Sequence, residues 1–269
     1  MKESGDNMAS NFWNGEFYFD NIHSSTYKVC IVDFNENNIL KQIGSTFSIS
    51  MEKEMAYRGN PLHRETERIA DNIVLQLCKT EGTVWTDIEI ADVVGWLFQD
   101  TFKKFQPTDF TEQSYNLVYY LKAIEMKKFL NPNLEGYIEI TFQPYDAYVY
   151  AVSNNSLVVG GRETRTITNL SNVNSVYYPK IRVRNLGNVY NTITISNQTN
   201  GKTLSISGME SGEMVIIDCA IGSVVNENGG NRFSVLQNFD FIGLDRGNNV
   251  ISLSANCTIE FICEFPMII

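Results

Sequence analysis

A mainly β chain in two parts, with one helix in the first, is what this sequence predicts. Three observations predict it. Apolar residues recur at every second position through most of the length, a single capping box opens the one stretch with helical spacing, and the composition shifts near residue 150. With 43% hydrophobic and 12% aromatic residues among 269, the chain has ample material for packed cores.

The first part, residues 1–150, reads in order as follows. FWNGEFYF (12–19) ends in alternation, with Phe17 and Phe19 on one side and Glu16, Tyr18 and Asp20 on the other. YKVCIVDF (27–34) is nearly continuous in apolar character, and GSTFSISMEKEMAY (44–57) places Phe47, Ile49 and Met51 on one face. RGNP (58–61) is a turn signal, and ERIADNIVLQLCK (67–79) is strand-like again, so 42–79 is expected to be one long hairpin with a charged tip. Thr86 and Glu89 form a T-x-x-E capping box, after which Val93, Trp96, Leu97 and Phe105 recur at helical spacing until Pro107. That stripe is expected to be a packing face. Two further strands follow, YNLVYYLKAIEMKKF (115–129) and GYIEITFQPYDAYVY (136–150), around the turn NPNLEG.

The second part, residues 151–269, begins with an Asn/Ser/Thr/Gly-rich stretch (153–175) expected to be a linker. Short, regularly spaced strands follow: SVYYPKIRVRN, NTITISNQ, KTLSIS, EMVIIDC, FSVL, NVISLSA and CTIEFICEF. Their number and their Gly/Asn turns predict an antiparallel β-sandwich. In MVIIDCAIGSVVNENGGNRF (214–233), Asp218 stands beside Cys219 at the end of an apolar run. The alternation places Asp218 where a carboxylate caps a turn, Cys219 among packing residues, and a hairpin at Gly229 and Gly230 leading into FSVL.

Composition excludes several function classes. A formal net charge of −10 provides no source of sequence-independent affinity for a phosphate backbone, so nucleic acid is not an expected partner. No apolar run is long enough to span a membrane, and MKESGDNMAS has no signal-peptide core, so synthesis in a cytoplasm is expected. The five cysteines, Cys30, Cys78, Cys219, Cys257 and Cys263, are widely spaced with no C-x-x-C pair, and the two histidines are His23 and His63. A zinc site is therefore not expected, nor is any other cofactor. Sequons at Asn154, Asn169, Asn197 and Asn256 carry no weight without secretion.

No catalytic constellation is evident. The histidines lie in the first part and Cys219, Cys257 and Cys263 in the second, so a Cys–His site would have to be assembled across the two. Asp218, Asp240 and Asp245 would serve as paired carboxylates only if folding brought them to one cleft. NGGN (228–231) follows no strand-to-helix pattern, so its glycines serve a turn and not a phosphate. A sandwich with exposed aromatics offers a different reading, a carbohydrate-binding module for host-surface attachment, with Tyr177, Tyr178 and Tyr190 as candidate stacking residues.

Two stretches carry a family likeness. GYIEITFQPYDAYVY resembles a domain-closing strand of the form G-x-h-x-h-x-F ending at P-Y-x-Y, where h is apolar, with one residue more between the two tyrosines here. From YPKIRVRNLG the chain runs through NQTNG and GEMVIID to GLDRGNNVISL, matching a P-x-h-x-h-x-x-x-G strand, G-E-x-h-x-I-D and a late L-x-x-G-x-N-x-I, while NQTNG departs from the form N-x-x-T-G in having its threonine one place earlier. In these motifs and in the order of its parts the chain resembles the distal tail protein (Dit) family of long-tailed, non-contractile bacteriophages. The resemblance implies a galectin-like second domain and a first domain that forms a belt. It implies a homohexameric ring at the distal end of the tail tube, between the major tail tube protein and the tail-associated hub protein, with receptor-binding proteins at its periphery. The expected location is the virion tail tip, and the expected role is structural and not enzymatic. The hairpin tip, Tyr57, Arg58, Gly59 and Asn60, becomes the candidate ring interface, because pairing with a neighbouring copy removes the hazard of open strand edges. Residues 176–269 have no spare segment large enough for an added arm, so a minimal adaptor is expected.

Overall fold

The computed structural model describes residues 15–32, 45–52, 62–80, 84–108 and 116–268. The chain packs as two compact units, Met1–Val149 with Ile268–Ile269, and Tyr150–Met267.

In the first unit the strands are β1 (Phe17–Phe19), β2 (Ile22–His23), β3 (Val29–Val32), β4 (Ser45–Glu52), β5 (Leu62–Ala70) and β6 (Ile73–Lys79). Helix α1 (Asp87–Leu97) precedes β7 (Lys103–Pro107), β8 (Leu117–Leu130) and β9 (Gly136–Pro144). Seven strands pair antiparallel in the order β2-β1-β7-β8-β9-β6-β3. Gly15, just ahead of β1, exchanges both backbone hydrogen bonds with Ile31 of β3, at 3.1 and 2.9 Å. The last strand thus bonds to the chain entering the first, and the sheet curls almost into a barrel. Closure of this kind leaves few bare edges.

Alternation decides what the curl encloses. Phe17, Phe19, Val29, Ile31, Leu75, Leu77, Phe105, Leu121, Ile138, Ile140 and Phe142 are all buried in one cluster with the helix. In β8 the inward set changes parity. Tyr119, Leu121 and Ala123 face the core, then a bulge at Ile124 shifts the register, and Met126 and Leu130 take over. One extra residue is enough to swap the faces of a strand.

Helix α1 opens with the expected capping box. Glu89 N–H donates to Thr86 Oγ1 (3.2 Å) and Thr86 N–H to Glu89 Oε2 (2.9 Å). Ile90, Val93, Trp96 and Leu97 form its buried stripe. The helix stops at Leu97, short of the expected Pro107, because Gln99 Nε2 caps the Gly95 and Trp96 carbonyls at 2.9 and 3.0 Å. Phe105 belongs to β7 instead, where it pairs with β1 and β8.

Glu89 also receives Lys79 Nζ at 2.6 Å. That bond, with the donors of Thr86, holds its carboxyl below the usual range, at about 2. Because the folded value is the lower one, its stabilising contribution is complete above the ordinary carboxylate pKa of about 4.3 and is lost as pH falls toward 2. Glu89→Gln should therefore melt below the wild type at pH 7, with the gap closing between about pH 4 and pH 2. A gap that stays constant down to pH 2 would refute this assignment.

The β8–β9 turn depends on one glycine. Gly136 has φ +142°, and a Cβ there would stand 2.0 Å from the Phe129 carbonyl oxygen. Its own carbonyl accepts the indole N–H of buried Trp85 at 3.1 Å, which fixes the helix entrance to this turn.

Strands β4 and β5 pair with each other in a separate two-stranded sheet, with an irregularity between Ser50 and Met51. The hairpin expected over 42–79 is thus shorter: β5 ends at Ala70, and after Asp71–Asn72 the chain continues as β6 in the curled sheet. The tip residues Tyr57, Arg58, Gly59 and Asn60 lie outside the described residues.

The second unit contains β10 (Val149–Asn169) from its second residue on, β11 (Lys180–Asn185), β12 (Ile193–Asn197), β13 (Thr203–Ile206), β14 (Met214–Asp218), β15 (Ser223–Asn226) and β16 (Gly247–Met267). The expected linker is largely strand β10, hydrogen-bonded beside β16: a polar composition does not prevent a backbone from filling a sheet. NVISLSA and CTIEFICEF, expected as two strands, are the single strand β16. Its first half pairs with β12, its second with β11, and the change occurs at Ala255, whose φ is +130°. Inward residues of β11 to β16 are buried, among them Ile181, Val183, Ile195, Leu204, Val215, Ile217, Ile251, Leu253, Ile259 and Phe261.

The β13 edge is closed by one backbone bridge, Ile206 to Leu236, and beyond it by side chains. Thr203 N–H donates to Asp240 Oδ2 (3.1 Å), Ser205 N–H to Asn238 Oδ1 (3.0 Å), and Asn238 Nδ2 to Thr203 O (2.7 Å). FSVL is accordingly not a strand. Phe233–Val235 forms a 3-10 turn that lets the chain run past β13.

Candidate functional site

His23 Nδ1 lies 2.7 Å from Ser25 Oγ, and its Nε2 is 3.5 Å from Glu16 Oε2. These are the residue types of an acid–base–nucleophile line. However, the same Nδ1 accepts Ser25 N–H at 3.3 Å and caps the short 3-10 turn Ser24–Tyr27, while Tyr18 meets the imidazole edge-on. The arrangement does the work of a turn. The side chain of His63 is not among those described.

Asp218 does what its place in the alternation predicts. Its Oδ1 accepts Ala220 N–H (3.1 Å) and Ile221 N–H (3.4 Å), and Oδ2 is 3.4 Å from Lys180 Nζ. Cys219 is buried, and burial pushes its thiol up to about 12. The hairpin from β14 comes earlier than expected. It returns at once as β15, and Gly229 and Gly230 serve the next bend, where Asn226 Oδ1 accepts Asn228 and Gly230 N–H. Asp240 is engaged with Lys202 Nζ at 2.7 Å, and Asp245 N–H is bonded to Asn249 Oδ1. Asp218 closes its own turn, Asp240 caps the edge of β13, and Asp245 is held through its backbone. Among the described residues no group of three or more His, Cys, Asp or Glu could hold a metal ion.

The three candidate stacking tyrosines occupy different environments. Tyr177 packs on Phe265 with ring centroids 4.8 Å apart, and its hydroxyl accepts Glu264 N–H at 2.8 Å. Burial raises its pKa strongly, as expected for a phenol embedded in the fold. Tyr178 is 42% exposed and Tyr190 is 89% exposed, in separate loops.

The outer face of β16-β11-β14 is the more organised surface. Lys180, Arg182 and Arg184 project from the central strand β11 at every second position, and each meets an acid: Asp218, Glu260 and, at 2.8 Å, Glu227. Arg182, Arg184, Met214, Ile216, Glu227, Thr258 and Glu260 line a hollow of about 640 Å³. Paired charges over aliphatic stems suit a protein contact better than an isolated ion. Sequence reasoning missed it because register alone aligns these residues across three strands.

The comparisons follow this division of the chain. The description "Phage tail protein N-terminal domain" matches residues 13–144, and "Phage tail C-terminal domain" matches residues 148–263. The chain belongs to this phage tail family. The solved structure of Dit from phage SPP1, titled as a paradigm of the hub adsorption apparatus in phages infecting Gram-positive hosts, shares its fold. The TM-score is 0.61 at 14% identity, over 93% of this chain and 98% of that one. The activated phage p2 baseplate with calcium matches at a TM-score of 0.54 and 10% identity, over 92% of this chain and 97% of that one. The strontium form matches at 0.55 and 10%, again over 92% and 97%. No curated protein matches in sequence. At these identities the likeness is one of fold, and this phage tail protein has the β-rich fold of Dit.

Proposed function

We propose that this tail protein is the baseplate hub: a homohexameric ring at the distal end of the tail tube, joining the tube protein to the tail-associated hub protein and carrying receptor-binding components outside. It is made in the bacterial cytoplasm and has no catalytic role. The observation that carries this reading is the fold likeness to SPP1 Dit over nearly the whole of both chains. We assign ring formation to the first domain, residues 1–150, and outward attachment to the second, residues 151–269.

The hairpin supports the first assignment. Among the described residues β4 and β5 pair only with each other, and an isolated two-stranded hairpin has two open edges and marginal stability. Repeating one heterologous contact between such edges and a neighbouring copy closes a ring. The paired charges of the second unit suit outward contacts, and the net charge of −10 keeps the ring from holding DNA that passes through it.

Light scattering after gel filtration, with negative-stain microscopy of the peak, tests this. A six-fold ring is the expected result, and a folded monomer at high concentration would overturn it. Tyr57→Ala with Arg58→Ala should leave the thermal melt unchanged and shift the particle from ring to monomer. Undiminished rings from that variant would remove the tip from the interface while leaving the hub reading intact.

A further inference from the structure

Of the five cysteines, Cys219, Cys257 and Cys263 are buried, and their thiols are pushed up to about 12, about 11 and about 12 by burial. Cys219 and Cys263 both lie near Pro179, but they flank it from β14 and β16, so two inter-strand spacings, roughly 9–10 Å, separate them. Cys30 and Cys78 differ in placement and exposure. They stand directly opposite each other on adjacent antiparallel strands, β3 and β6. Val29, Ile31 and Leu77 take the core positions, so both thiols project from the other face of the sheet, and both are partly exposed.

The backbone identifies the type of pair. Ile31 turns its N–H and C=O to Gly15, away from β6, so Cys30 turns its own toward Cys78. Opposed residues of this hydrogen-bonded type have Cα atoms about 5.5 Å apart, inside the roughly 4.4–6.8 Å that a disulfide spans. Cys78 Sγ now rests 3.5 Å from the Gly136 carbonyl oxygen, so bonding requires it to rotate off that contact.

We propose that Cys30 and Cys78 form a dithiol site that a small-molecule disulfide such as oxidised glutathione converts to a cross-strand disulfide. One cysteine thiolate attacks the glutathione disulfide, forming a mixed disulfide and releasing one glutathione. The second cysteine attacks the protein sulfur, closes the Cys30–Cys78 bond and releases the other glutathione. The two protein thiols lose two electrons and two protons, which end on the two released thiols. Burial, then Glu16, raises the Cys30 pKa, and burial, then Cys30 itself, raises that of Cys78, so both rest as protonated thiols in the reduced protein. The bond closes the chain segment that includes β4 and β5, stapling both ends of the hairpin region to the curled sheet.

The test uses the full chain, incubated with oxidised glutathione, then denatured, alkylated and weighed. Alkylatable cysteines should fall from five to three, with a Cys30–Cys78 linked peptide in the digest. The melting temperature should rise by roughly 5 °C and return with dithiothreitol. In Cys30→Ser, Cys78 should instead carry a single glutathione adduct. Five alkylated cysteines, separate adducts on Cys30 and Cys78 in the wild type, or a bond between two copies would each overturn the proposal. Peptide mapping of the wild type decides the matter even if the variant fails to fold.

Discussion

Trp96→Ala should cost the first unit about 3–5 kcal/mol, the usual loss when a large aromatic is removed from a packed core. Trp96 is 4% exposed at the point where helix and sheet meet. It stacks on Tyr27 (centroids 4.5 Å apart) and Phe17 (5.5 Å), and meets Phe19 edge-on at 6.1 Å. Its indole N–H donates to the Phe19 carbonyl at 3.1 Å, tying α1 to β1. Alanine would leave a cavity among three aromatic rings and a carbonyl without its donor. In urea the transition of the first unit should move to lower denaturant, with that of the second unchanged, since two units need not unfold together. Trp96→Phe keeps most of the packing and loses only the donor, so about 1–2 kcal/mol is expected. A loss below about 1 kcal/mol for Trp96→Ala would mean that the helix is not held by this residue.

Asn197→Ala is the corresponding experiment in the second unit, where polar joints carry what aromatics carry in the first. Asn197 is fully buried at the end of β12. Its Nδ2 donates to Gly243 O (2.8 Å) and Asn249 Oδ1 (3.0 Å), and its Oδ1 accepts Thr199 N–H (3.0 Å). Asn249, also fully buried, accepts Asp245 N–H at 2.9 Å and donates to Asp245 O at 2.7 Å and Gly247 O at 3.0 Å. The two amides fasten the turn after β12 to the loop entering β16. Alanine would orphan several of these groups at once, each costing on the order of 1–3 kcal/mol, so a loss of about 3 kcal/mol in the second transition is expected. Asn197→Asp should be at least as damaging, because it buries a charge and removes both donors. Chemical denaturation of the three proteins decides it, and an unchanged Asn197→Ala midpoint would show that the network is dispensable.

These joints show where reading the sequence stops short. Asn169 and Asn197 draw notice in the linear chain as sequons, yet both are buried and hold loops in place. Nothing local distinguishes them from the exposed asparagine Asn256, because a buried amide is defined by partners that lie far along the chain, such as Gly243 and Leu244. The same limit explains the helix drawn too long. Phe105 looks like a continuation of the stripe, but at 3.6 residues per turn it falls about 180° from Trp96, and its pairing with Phe19 and Tyr119 makes it a strand residue. FSVL fails for a related reason: it has strand composition and Leu236 does bridge to Ile206 of β13, but Phe233–Val235 turns as a 3-10 helix and, past that one bridge, the side chains of Asn238 and Asp240 take over the edge.

Local rules were enough for the β-rich class, the single capped helix, the turn-capping role of Asp218 and the inward sets Ile138, Ile140 and Phe142 or Ile259 and Phe261. Each depends on periodicity or on groups within a few residues, which the order of residues contains directly. The parity switch at Ile124, the closure of Gly15 on Ile31, the sharing of β16 between β12 and β11, the charged rows on β11 and the pairing of Cys30 with Cys78 came from the folded chain alone. Those depend on register between distant strands. A shift of one residue would reverse every one of them while leaving the local pattern untouched.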